Sequence, residues 1–145
     1  MKAARNISIA VLLAVVSAWL AHLHVVSQSY HPVVRLASPD GLIYIAVQDA
    51  KHERQDCGAA NDRFLAPVRE GCKGCKVVVA RCERELEGFE LAVHEGRRMP
   101  HPVVSGPGVR MAIEGPAASA KASCEVIATQ MVRSGLRSAA CVRPA

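Results

Sequence analysis

The chain is poor in aromatic residues: of its 145 positions only Trp19, Tyr30, Tyr44, Phe64 and Phe89 carry such rings. So few rings exclude a platform on which successive nucleic-acid bases stack. The chain has ten glycines and eight prolines, too few for a low-complexity segment, and its 50% apolar share is too high for a disordered tail. Catalytic signatures are missing too. There is no GxSxG elbow, no HExxH pair and no GxxxxGK[ST] phosphate loop. Haem attachment would require a histidine directly after Cys75, where Lys76 stands. Just one stretch is apolar enough to cross a bilayer, which excludes a multispanning transporter. The length suits one domain of ordinary size.

That apolar stretch is the first positive feature. Lys2 and Arg5 precede Ile7 to Val26, a run interrupted by Ser8, Ser17, His22 and His24, and no acid appears before Asp40. Cations ahead of a hydrophobic segment mark an export signal whose start stays in the cytoplasm. Cleavage needs small residues three before and one before the cut. Val25 with Ser27, or Ser27 with Ser29, serve weakly, and Trp19 spoils a cut after Ala21. The run also has about the length that ~30 Å of hydrocarbon requires. We read residues 1–27 as a signal anchor or transmembrane helix, 28–41 as a linker carrying Pro32 and Pro39, and 42–145 as an extracytoplasmic domain. The expected address is the inner membrane, crossed once, with the C-terminal domain in the periplasm or outside the cell.

All six cysteines lie beyond this segment, at positions 57, 72, 75, 82, 124 and 141. An even set in an oxidising compartment reads as disulfides, although sequence alone leaves their connectivity open. Hydrophobic spacing narrows it. Leu42 to Val47 reads as a buried strand, and Cys57, Ala60, Phe64 and Val68 share one face of a helix. Pro67 should bend or end that helix early, and Lys76 to Ala80 reads as the next strand. Residues 83–108 fit either a helix or a strand. Val109 to Glu114 alternates as a half-buried strand. A helix follows with Ala120, Cys124, Ile127 and Met131 on one face, closed by Gly135, and Ser138 to Val142 is a last strand.

Ile45-Ala46-Val47 and Met111-Ala112-Ile113, each followed by a helix and a strand, suggest an internal repeat. The fold expected is α+β: a ferredoxin-like βαββαβ sheet with two helices on one face. In that topology Cys57 and Cys82 meet at one end, Cys72 and Cys75 at the other, and Cys124 lies over Cys141. The expected pairs are therefore Cys57–Cys82, Cys72–Cys75 and Cys124–Cys141.

Cys72-Lys-Gly-Cys75 is the one short motif with chemical content. A redox-active CxxC sits at a helix N-terminus, where the dipole favours thiolate. This one follows a helix, so a structural bridge is the first reading, with thiol–disulfide exchange or metal binding through Cys72 and Cys75 as alternatives. No cofactor and no metal are expected. Glu83, Glu85, Glu87 and Glu90 read as a solvated acidic edge, and His94 and His101 flank Arg97-Arg98 in the stretch that fits either element. Charge is uneven: residues 28–96 hold nine Lys/Arg and eleven Asp/Glu, whereas residues 97–145 hold seven and two. The basic half favours an anionic partner, and Arg133 and Arg137 are the expected docking residues.

The stretch Val109-Arg-Met-Ala-Ile-Glu-Gly-Pro-Ala-Ala-Ser-Ala-Lys-Ala, continuing to Met131-Val-Arg-Ser-Gly-Leu, resembles the second half of a SPOR domain. The likeness lies in a strand ending in Gly-Pro, an Ala-rich helix and a Gly before the last strand. The resemblance implies a βαββαβ fold, one membrane anchor and binding of peptidoglycan glycan strands. It transfers no binding residue, and Gln48-Asp49 stands where a glycine would be expected in the first half. Together these readings describe a membrane-anchored accessory module of the cell envelope, with a glycan or a membrane protein as partner and no nucleic acid. Binding is favoured over enzymatic work.

Overall fold

The structure is a computed structural model and describes residues 12–21, 29–136 and 138–143. Among these residues, six strands and three helices build the domain. They are β1 (His31–Ala37), β2 (Ile43–Gln48), α1 (Arg54–Gly71), β3 (Lys76–Glu83), α2 (Gly88–Glu95), β4 (Val103–Gly106), β5 (Val109–Glu114), α3 (Ala117–Arg133) and β6 (Ala140–Val142). Residues 12–21 are also helical, with Leu12, Val15 and Trp19 exposed. Among the described residues no helix is long and apolar enough to cross a membrane. Most of the expected anchor, 1–27, falls outside the described residues.

The fold is α+β, as expected, but the sheet differs from the four-stranded one anticipated. Its order is β3-β1-β2-β5-β4-β6, and every neighbouring pair is antiparallel. β2 and β3 both run antiparallel to β1 and so are parallel to each other with β1 between them. β5 and β6 flank β4 in the same way. Each half is thus a split βαβ unit closed on itself by a hairpin strand, whereas a ferredoxin-like order would interleave the halves.

The two unexpected strands come from segments whose sequence looks irregular. The segment 28–41 is not a linker: β1 occupies half of it and is paired on both sides. Pro32, which cannot donate to a ladder, is tolerated near the strand's start, and Pro39 lies in the hairpin turn. β4 is the short run between Pro102 and Pro107.

The duplication is plainer in the fold than in the triplets that suggest it. His-Pro-Val-Val occurs at 31–34 and again at 101–104, leading into β1 and β4. Val34 and Val104 face one side of the sheet; Val33 and Val103 face the other. A common spacing of 67 residues separates Ser38 from Ser105, Tyr44 from Met111 and Cys57 from Cys124. This corrects the expected register by one residue. Met111 and Ile113 share their face with Tyr44 and Ala46, while Val47 points to the opposite side. A one-residue slip in a strand exchanges the faces, so only the corrected alignment keeps both helices on one side.

α1 and α3 do lie on one face, over a cluster that includes Val34, Leu36, Leu65, Ile113, Ala120 and Cys124. α2 covers the opposite face through Val93, with Val33, Val47, Met99, Val103 and Ala112 beneath it. α1 runs through Pro67 to Gly71 and does not end early. The missing N–H falls in the helix's final stretch, where the affected turn around Arg63 is exposed to water. Asn61 is the buried polar residue of α1: its Nδ2 donates to the Arg81 carbonyl at 3.0 Å, and its Oδ1 accepts from Gln48 Nε2 at 3.3 Å. It ties the helix to both the edge strand and β2.

Candidate functional site

The six cysteines form the three pairs that the strand and helix pattern ranks first. Cα separations are 6.1 Å for Cys57–Cys82, 5.5 Å for Cys72–Cys75 and 5.5 Å for Cys124–Cys141. Cys57 and Cys124 are fully buried, and each ties its helix to the edge strand of its own half. Cys72 caps the C-terminus of α1, its N–H donating to the Val68 carbonyl. That end of a helix carries partial negative charge, which disfavours a thiolate. The pair is half-buried and lines an apolar groove of about 340 Å³ between α1 and α3, with Phe64, Val68 and Ile127 on its walls.

The remaining residues singled out in the sequence are scattered. Arg133 is exposed at the end of α3, and Arg137 lies outside the described residues. Of the acidic edge, Glu90 receives a forked contact from Arg81 at 2.8 and 3.0 Å, and Glu83 pairs with the same guanidinium at 2.5 Å. One guanidinium thus faces two carboxylates and offsets half of their charge. Among the described residues, no group of three or more His, Cys, Asp and Glu is placed to hold a metal ion.

The loop after α2 draws together more than its own sequence shows. α2 ends at Gly96, whose left-handed backbone (φ +67°) is one that residues with a Cβ rarely adopt. The Arg110 guanidinium from β5 packs directly on this glycine and donates to the His94 carbonyl, satisfying one of the free acceptors at the helix end. Arg110 is thereby fixed at the mouth of a cleft of about 520 Å³ that also takes in Arg97, Arg98, His101 and Arg143. Val93, Met99, Val103 and Val142 supply its apolar lining. Glu95 is the acid lining it, and it is engaged by Arg97 at 2.5 Å. Among the described residues, Arg98 and Arg143 have no ion pair or hydrogen bond. Four guanidiniums against one carboxylate leave the cleft strongly positive. Chemically the site offers planar donor forks, with Ser105 and His101 also on its wall. The Arg97-Arg98 dipeptide is visible in the sequence; nothing there links Arg110 and Arg143 to it.

Behind this cleft His31 and His94 meet edge to face, ring centroids 4.8 Å apart. His31 Nδ1 is buried without a hydrogen-bond partner among the described residues. Burial, and then the neighbouring His94, push the His31 pKa below its usual 6.5, against smaller opposing effects of the Gln48 backbone and Asp49. The unfolded chain therefore takes up a proton at higher pH than the folded one, so stability falls as pH drops through about 6.5. Thermal melts between pH 8 and 5 should show Tm declining below pH 6.5, and His31→Gln should flatten the decline. An unchanged slope in the variant would assign the pH dependence elsewhere.

No family model matches the chain, and neither a curated protein nor a solved structure shows significant similarity to it.

Proposed function

We propose that this chain is a membrane-tethered, extracytoplasmic interaction module of the cell envelope, held rigid by disulfides and working by binding rather than catalysis. The observation that carries the reading is that every cysteine lies beyond the apolar N-terminal run and every one is paired. Disulfides of this number persist in oxidising compartments and are rare in reducing ones. The charged start of the chain agrees, because cations there favour a cytoplasmic N-terminus and a domain beyond the inner membrane. A SPOR-like role, with envelope glycan as partner, rests on the likeness over Val109 to Leu136 alone; a membrane-protein partner is the other form of the same proposal. Arg133 and Arg137 remain docking residues within it.

A second reading has one observation in its favour. Cys72 and Cys75 are half-buried at an apolar groove and so are within reach of a partner thiol, as thiol–disulfide exchange requires. Metal binding by the same two sulfurs would require the pair to be reduced first.

The test is topology in the living cell. Alkaline phosphatase fused after residue 145 should be active, and the fusion should resist carbonate extraction from membranes. An inactive fusion, or its release by carbonate, would contradict the proposal.

A further inference from the structure

We infer that the arginine cleft beside α2 is a binding site for a ligand joining a phosphate or carboxylate group to an apolar body. This does not depend on where the chain resides or on its being tethered. Two features of the cleft specify the ligand. Its charged groups are Arg97, Arg98, Arg110 and Arg143 against Glu95, and Glu95 is already paired, which leaves a net positive site. Guanidinium forks match the paired oxygens of phosphate and carboxylate, and that match is planar and directional in a way an ammonium group cannot reproduce. The lining between them is apolar, formed by Val93, Met99, Val103 and Val142. An inorganic anion would leave those side chains uncovered. A volume of about 520 Å³ lies in the usual range for small-molecule sites.

The positions of the arginines add a division of labour. Arg110 is held from beneath by Gly96 and from the side by the His94 carbonyl, so its orientation is set before any ligand arrives. Arg98 and Arg143 are exposed and free to close over the anion from distant parts of the sequence, one after α2 and one after β6. Arg97 is engaged with Glu95 and serves mainly to offset that carboxylate. The same anionic chemistry could be presented by a soluble phosphate ester or by a lipid headgroup, and the experiment separates these sources.

The experiment uses the full chain in a zwitterionic detergent, with empty micelles as the blank, and titrates hexyl phosphate, inorganic phosphate and hexanol by calorimetry. Hexyl phosphate should bind saturably and at least fivefold more tightly than inorganic phosphate, and hexanol should not bind. Affinity should weaken as salt rises. The double variant Arg98→Gln/Arg143→Gln should lose at least tenfold, with its melting temperature unchanged, whereas Arg69→Gln, at an exposed position on α1 outside the cleft, should bind like the parent. Phosphatidylglycerol doped into the micelles forms the second arm: loss of hexyl phosphate affinity in the doped micelles, and not in micelles doped with phosphatidylcholine, assigns a lipid headgroup, and unchanged affinity assigns a soluble ligand. The inference is overturned if no saturable binding occurs, if hexanol binds as well as hexyl phosphate, or if Arg69→Gln costs as much as the double variant.

Discussion

Replacing both cysteines of the first long bridge, Cys57→Ala with Cys82→Ala, is expected to lower the stability of the domain by about 3.5 kcal/mol. Chain-entropy arithmetic for separations of 25, 17 and 3 residues gives about 3.5, about 3 and about 1.5 kcal/mol for the three bridges. Structure argues for the same ranking. β3 and β6 are the outer strands of the sheet, each hydrogen-bonded to a neighbour on one side only. The bridge from α1 to β3, and its counterpart from α3 to β6, ties each outer strand to the helix of its own half. The Cys72–Cys75 bridge spans a single turn and holds nothing distant. Urea unfolding of the three double variants should therefore place both long-bridge variants well below the Cys72→Ala/Cys75→Ala protein. The loss at the first bridge corresponds to a fall in Tm of roughly 15–25 °C. An equal or larger loss from the short bridge would contradict this ordering.

Ile113→Ala should cost about 3 kcal/mol, within the range for truncating a fully buried branched side chain. Ile113 has no exposed surface and belongs to the cluster beneath α1 and α3, with Leu42, Ala46, Ala120 and Cys124. It lies on β5, one of the two strands that join the halves, so the cavity would open beside the seam between them. The chain contains few large side chains able to shift into such a gap. Val126→Ala is the control, because Val126 is 63% exposed on α3 and should change stability by less than about 0.5 kcal/mol. Comparable losses at the two positions would mean that α3 is packed with a different face inward.

What can be read in the sequence depends on where each signal is local. β2 and β3 are recognisable by their apolar, β-branched runs, β5 by the alternation of Val109, Met111 and Ile113, and α1 and α3 because their buried residues recur every three or four positions. β1 and β4 are hidden by their prolines. A proline just inside or beside a strand looks like a loop signal until the neighbouring strand is known. The repeated His-Pro-Val-Val would expose both strands at once, since it carries the turn, the strand and the two-faced valine pair together. α2 is ambiguous because Phe89, Leu91 and Val93 alternate while Leu86, Phe89 and Val93 also fit a helix. Gly96 in its left-handed cap is where the helix stops.

The disulfide pairs are legible because each joins elements adjacent in any arrangement that packs these helices on these strands. The arginine cleft is not. Its residues come from the end of α2, the loop beyond it, β5 and the residue after β6, and only tertiary packing brings Arg110 and Arg143 to Arg97 and Arg98. Counting charges shows that the C-terminal half is basic but not which arginines meet. Closeness in sequence instead favours Arg133 and Arg137, which lie four residues apart.

An extracytoplasmic module whose cysteines are all closed must carry no free thiol, so thiol counting on native protein is the decisive measurement. Protein purified from membranes of its own host would be alkylated before and after reduction, and its intact mass recorded. The expected result is no alkylation before reduction, six added groups after it, and a mass that retains the N-terminal segment. Free thiols mapping to Cys72 and Cys75 in the unreduced protein would contradict the closed module and bring thiol–disulfide exchange to the front.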